Sequence, residues 1–197
     1  MKGTDCRTLQ MTSVSSPMGF NTQRLKMRPI CDADKQLYRQ LYCDPKVMRN
    51  ISAPLSQQQA DKAFATYLEA MTPYQHQASS QTKYMSWTIV ETLSQQPIGI
   101  QGLTWHTHDK TIAEIGIMLL PKANGKGYPE EAMGALLEYG FQQLKLSRIY
   151  AHFASTNLAT KRFVKKLGFI FEPLGQHPPL NKKTSQKCYI ELPHYLT

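Results

Sequence analysis

Residues 119–129 of the 197-residue chain read LLPKANGKGYP and run directly into EEAMGALLEYGF. Gly125 and Gly127 stand one residue apart, after an apolar strand-like run and before a helix-like one. Without side chains, the backbone N–H groups of such a turn approach an anion closely, and the helix start adds its positive dipole end. Asn124, Lys126 and Tyr128 complete the turn, and Lys122 and Lys126 supply mobile positive charge. The pattern is not a P-loop, because no GK[ST] follows at the required spacing, and GxGxxG is left incomplete. The competing reading is a tight strand-to-helix connection. Pro129 suits the first turn of the helix but removes one N–H that an anion needs. Glu130 and Glu131 are expected to repel an anion at the same place.

Other positions carry polar chemistry in apolar surroundings. Glu114 lies in AEIGIML, where alternation sets it on one strand face with Gly116 and Met118, opposite Ile115, Ile117 and Leu119. It is either a working carboxylate or an edge glutamate paired with a basic neighbour. Asn157 opens NLATKRFVKKLGF as an N-cap, with Thr160 in the first turn. Lys161, Arg162, Lys165 and Lys166 form a basic face on that helix. His106 and His108 in WHTHDK are spaced for one strand face, yet nothing completes a metal site around them, and they are expected to be exposed in a hairpin. No metal is called for.

The elements that must position these groups follow from periodicity. RLKMRPI reads as a half-buried strand, Asp32 as the cap of a helix over DADKQLYRQLYCD, and SQQQADKAFATYLEAM as a second helix with Ala60, Phe64, Tyr67, Leu68 and Met71 on one stripe. Three strands then follow in close order, KYMSWTIVET, PIGIQGLTWHT and TIAEIGIMLLP, as an antiparallel meander. After the helix at 130–146 come the strand SRIYAHFAS, the helix NLATKRFVKKLGF, and two last strands in FIFEPLG and KCYIELPHY. The order βααβββαβαββ predicts an α+β (mixed α/β) fold: a single domain with a central, mostly antiparallel twisted sheet flanked by helices. Residues 1–23, rich in Ser, Thr and Met, are expected to be a flexible tail ahead of a domain over 24–197.

Composition narrows the function classes. At 41% hydrophobic with no apolar run of spanning length and no signal-peptide core, the chain reads as a cytoplasmic protein with no membrane partner. The four cysteines form no CxxC pair, which argues against a zinc site or a disulfide framework. A formal net charge of +9 suits an anionic partner, whether a phosphorylated cofactor or a nucleic acid. No stacking motif or reading helix accompanies the charge, so nucleic acid is not the expected partner.

Three segments together, RLKMRPICDADKQLYRQLYCDPKVMRNI, EIGIMLLPKANGKGYPEEAMGALLEYGF and STNLATKRFVKKLGF, resemble the GNAT superfamily of N-acetyltransferases. The likeness points especially to its ribosomal-protein N-terminal acetyltransferase (RimJ/RimL) branch. The resemblance implies acetyl-CoA as co-substrate. The turn from Asn124 to Pro129 corresponds to a [Q/R]xxGx[G/A] pattern whose amides, here at Gly125, Lys126, Gly127 and Tyr128, hold the pyrophosphate. Asn124 stands for the usual Gln or Arg, and Pro129 for the usual Gly or Ala. Glu114 is implied as the base, acting through water. The backbone at Met118, Leu119 and Leu120 is implied to pair with the pantetheine arm and Asn157 to touch that arm, while Lys161 or Arg162, by their place near the N-terminal end of the helix, are within reach of a cofactor phosphate. Thr160 replaces a serine that protonates the leaving thiolate, and Val164 stands where other members carry a tyrosine acid. The acceptor implied is a primary amine, a protein N-terminus, served by a monomer or homodimer. Alternatives are a non-catalytic acyl-CoA-binding member and an enzyme for polyamines or amino sugars. Acceptor choice in this family rests on the loop after the second helix and on the C-terminal segment.

Overall fold

The computed structural model describes residues 18–71, 83–106, 108–173 and 185–192. Eight strands form one sheet in the order β1-β2-β3-β4-β5-β6-β8-β7. They are β1 (Phe20–Asn21), β2 (Leu25–Pro29), β3 (Tyr84–Glu91), β4 (Gln96–Thr104), β5 (Ile112–Leu119), β6 (Arg148–Ala154), β7 (Ile170–Phe171) and β8 (Ser185–Glu191). Helices α1 (Lys35–Tyr42), α2 (Pro45–Met48) and α3 (Gln57–Met71) lie between β2 and β3, α4 (Tyr128–Gln142) between β5 and β6, and α5 (Leu158–Lys166) after β6. The expected α+β class and the β3-β4-β5 meander are both present. Every neighbouring pair is antiparallel except β5 with β6, which the α4 crossover makes parallel.

The two sheet faces are covered by different helices. Against one face α4 packs Ala132, Met133, Leu136 and Leu137, in one cluster with Trp87, Leu103, Ile115 and Ile149. Leu136 and Leu137 are fully buried, each contributing about 1.5–3 kcal/mol of apolar transfer. On the other face, α1 and α3 bring Tyr38, Ala60 and Phe64 against Ile30, with Ile100 of β4 packed alongside. Ser56 and Gln59 start α3 with a reciprocal pair of bonds: Gln59 Oε1 accepts from the Ser56 N–H, and Ser56 Oγ from the Gln59 N–H.

Two expectations change near the N-terminus. Residues 18–23, read as the end of a tail, are docked. Met18 is buried, Phe20 stacks on Tyr139, and β1 pairs with Lys26 and Met27 of β2. The short stretch had too little periodicity to be read as a strand. The rest of the expected tail lies outside the described residues. Asp32, expected as a helix cap, instead begins a 3-10 turn, and α1 starts only at Lys35. Asp34 organises this corner. Its buried carboxylate accepts two bonds from the Arg28 guanidinium at 2.7 and 2.8 Å, one from the Cys31 N–H and one from the Thr88 hydroxyl.

Candidate active site

β4 stays paired with β5 from Thr104 opposite Glu114 to Gly99 opposite Leu119. β6 pairs with β5 only where Arg148, Ile149 and Tyr150 face Ile112, Ala113 and Glu114. Beyond Tyr150, β6 runs on to Ala154 paired with β8 alone. The two parallel strands therefore part at Glu114, and a wedge opens between their C-terminal halves, the end of a parallel pair at which ligands bind.

The pairing assigns the backbone groups that line this wedge. The Leu120 N–H donates to the Ile98 carbonyl at 2.8 Å, which makes these two a hydrogen-bonded pair. Antiparallel pairs alternate, so Met118 bonds across to Ile100, while Ile117 and Leu119 point their N–H and C=O groups away from β4, into the wedge. The Met118 carbonyl agrees: it lies 2.4 Å from where a Cβ on Gly99 would sit, on the β4 side. Of the expected trio Met118, Leu119 and Leu120, only Leu119 thus offers its backbone, and Ile117 joins it. Met118 and Leu120 are corrections. Their N–H groups are spent on β4, and the Leu120 side chain is buried beside Leu37 and Leu41.

At the open end β5 passes through a 3-10 turn, Pro121–Ala123, into the glycine turn and α4. Gly125 and Gly127 have φ of +76° and +73°, a left-handed backbone that strains any residue with a Cβ. The first helical bond of α4 runs from the Glu131 N–H to the Gly127 carbonyl. The N–H groups of Gly127, Tyr128 and Glu130 therefore precede the ladder, and Pro129 has none. The Asn124 N–H is given to the Pro121 carbonyl at 3.1 Å, leaving Asn124 its exposed side chain.

The side chains of the turn differ from expectation. Tyr128 is buried: its hydroxyl donates to Glu91, and its ring lies under the Arg24 guanidinium at 4.7 Å and the Lys126 ammonium at 5.6 Å. Lys126 also pairs with Glu91 at 3.5 Å. The Ser94 and Tyr128 hydroxyls, with Lys126, hold the Glu91 carboxyl down to about 2. Glu131, expected to repel an anion, is matched by a cation. It accepts from the Thr22 hydroxyl, the Arg24 N–H and the Arg24 guanidinium, at 2.6, 3.0 and 2.6 Å. Burial pushes its carboxyl up, but these donors prevail and hold it below the usual range. No local pattern links residues 22 and 24 to residue 131.

α5 starts at the same end of the sheet, four residues past β6. Asn157 caps it as expected, its Oδ1 accepting from the Thr160 N–H at 3.2 Å. Thr160 is half-buried in that first turn, while Lys161 and Arg162 are exposed, the Lys161 ammonium 5.9 Å from the Phe171 ring. The fold thus gathers Leu119, the 125–128 turn, Asn157 and Thr160 at the open end of the wedge. Arg162 sits farther along α5.

Glu114 stands at the vertex. One carboxylate oxygen, Oε2, takes both the His152 Nδ1 at 2.8 Å and the His106 Nε2 at 3.0 Å. Burial raises its carboxyl, yet the two imidazoles outweigh burial and leave it below the ordinary carboxylate range. His106 and His108 are both exposed as expected, and His106 in addition meets Glu114. His152 was missed. Alternation in RIYAHFA places it with Tyr150 on one face, but only the β5–β6 register shows that this is the face of Glu114.

Residues 24–170 match the family model for the acetyltransferase (GNAT) domain. Among curated relatives, the uncharacterized N-acetyltransferase YnaD of Bacillus subtilis (strain 168) is 44% identical over 55 residues, 28% of this chain and 32% of YnaD. The uncharacterized N-acetyltransferase YoaA of the same strain is 26% identical over 150 residues, 76% of this chain and 81% of YoaA. Among solved structures, the spermidine N-acetyltransferase from Vibrio cholerae in complex with CoA and spermine superposes with a TM-score of 0.75 at 20% identity, covering 89% of this chain and all of that one. No helix among the described residues is long and apolar enough to cross a membrane. The wedge at Glu114, the glycine turn before α4 and the family match over 24–170 lead to one conclusion: this chain belongs to the GNAT family and is an acyl-CoA-dependent N-acetyltransferase.

Proposed function

We propose that the chain transfers the acetyl group of acetyl-CoA to a lone primary amine, the N-terminal α-amine of a protein, as the RimJ/RimL branch does. The observation that carries the cofactor half is the parting of β5 from β6 at Glu114, with Ile117 and Leu119 offering backbone groups along one wall and the 125–128 turn at its open end. A pantetheine arm has two amides that need such an edge, and a pyrophosphate needs N–H donors at a helix start. Gly127, Tyr128 and Glu130 supply them. Asn157 and Thr160 stand beside the arm, Thr160 as donor to the leaving thiolate.

Charge supports the acceptor half. In the sequence on which acceptor choice is expected to rest, residues 72–82 after the second helix and residues 174–184 toward the C-terminus contain no Asp or Glu, and the latter carry Lys182 and Lys183. On the sheet face around Glu114, the carboxylates are already engaged: Glu114 by two histidines, Glu172 by Lys187 and Glu191 by Arg148. A polycation such as the spermine bound by the Vibrio cholerae neighbour meets no spare carboxylate among these residues. A single α-amine, with a pKa near about 7.7–8.0, is partly neutral at pH 7 and needs only a modest base. The test is thiol release from acetyl-CoA with three acceptors: a short peptide with a free N-terminal alanine, the same peptide N-blocked but carrying a lysine, and spermidine. The free N-terminus is expected to be preferred. Preference for spermidine overturns the acceptor half and leaves the cofactor half standing.

A further inference from the structure

Resting on the acetyl-transfer reading, we infer that His152 is the group that takes the proton from the attacking amine, and that Glu114 positions it. Nδ1 is the His152 ring nitrogen that meets the Glu114 carboxylate, in a charge contact of 2.8 Å, and a carboxylate beside a ring nitrogen favours the proton there, which gives the lone pair of a neutral imidazole to Nε2. Glu114 has its Oε2 occupied twice and its carboxyl held below the ordinary range, which makes it a poor base and a good anchor.

Direction along the strands separates the two histidines. β5 and β6 both run toward the open end of the wedge, and His152 stands two residues past Tyr150, the last residue paired with β5. His106 follows β4, which runs the other way, so it flanks Glu114 on the closed side. His152 is on the wall of the wedge; His106 braces the carboxylate from behind. The charged and titratable groups that face His152 are Glu114 from β5, His106 from the segment after β4, Tyr150 on its own strand, and Lys187 and Tyr189 from β8. Beyond them lie Arg148, Glu191 and Glu172. Lys187, opposite His152 across the β6–β8 pair, is held 3.4 Å from Glu172 and 4.1 Å over the Tyr150 ring. In the reaction, the amine nitrogen bonds to the thioester carbonyl carbon, its proton passes to His152 Nε2, and the C–S bond breaks. The CoA thiolate is reprotonated, so that one proton moves from amine to thiol overall.

The experiment compares wild type, His152→Gln, Glu114→Gln and His106→Gln between pH 5.5 and 9. It uses acetyl-CoA with the preferred acceptor of the panel above, CoA affinity by calorimetry, and long-range 1H–15N spectra of the histidines. General-base loss is expected to cut kcat about 10²- to 10⁴-fold in His152→Gln with CoA affinity unchanged, and to abolish the fall in rate toward acid pH. Glu114→Gln is expected to shift His152 away from the Nδ1–H tautomer and to lower kcat less than His152→Gln does. Activity of His152→Gln within threefold of wild type, or a His152 that carries its proton on Nε2, overturns the assignment. If wild type fails to bind CoA, the acetyl-transfer reading falls first and this one with it; CoA binding with an active His152→Gln sinks this one alone.

Discussion

Replacing Pro129 with Ala is expected to tighten CoA binding while slightly destabilising the free protein. Pro129 is the second residue of α4, and N–H groups of Gly127, Tyr128 and Glu130 flank the gap it leaves in the donor set. A hydrogen bond to a charged oxygen contributes about 1.5–3 kcal/mol, so restoring one N–H toward the pyrophosphate tightens binding by about 10- to 150-fold. Glu131 does not cancel this gain, because Thr22 and Arg24 already balance its charge. Glu130, the other acidic residue in the first turn of α4, has no such ion pair among the described residues. The cost comes from the unfolded chain, in which alanine has more freedom than proline, about 0.4–1 kcal/mol, or roughly 1–4 °C for a chain this size. Calorimetry with CoA and with pantetheine, which lacks the pyrophosphate, provides the control. The gain should appear with CoA and vanish with pantetheine. CoA affinity within twofold of wild type, or an equal gain with pantetheine, would falsify the claim that this missing N–H faces the pyrophosphate.

Two further outcomes concern stability. Asp34→Ala leaves the Arg28 guanidinium without its buried partner and strips acceptors from Cys31 and Thr88, so urea unfolding should show a loss of about 3–5 kcal/mol; a loss under 1 kcal/mol would mean that the corner is held by packing alone. Glu91, its carboxyl depressed to about 2, adds stability that is complete above the ordinary carboxylate range near 4.5 and lost as pH falls from there through 2. Glu91→Gln should therefore flatten the fall of Tm between pH 4.5 and 2, and an unaltered slope would remove Glu91 as its source.

Much of the frame was legible because it is written in local patterns. The 3.6-residue stripe of α3, the alternation along β3 to β5, the N-cap at Asn157 and the glycine turn before α4 each need only neighbouring residues to be recognised. The positions of Glu114, Thr160 and the 125–128 turn followed from the same reading. What the residues could not disclose were pairings across long stretches of chain. Glu114 finds His152 from 38 positions away because β6 lies parallel to β5 for only three residues, and that same short register opens the wedge. Arg24 reaches Glu131 across more than a hundred residues, which turned an expected repulsion into a neutral pair. Alternation told which way the side chains of Met118, Leu119 and Leu120 point, but backbone N–H direction depends on which neighbour strand each residue bonds. Periodicity within a segment is set by its own dihedrals, so the sequence determined the elements; the site lies where strands meet and part, and only the tertiary register decided which groups share it.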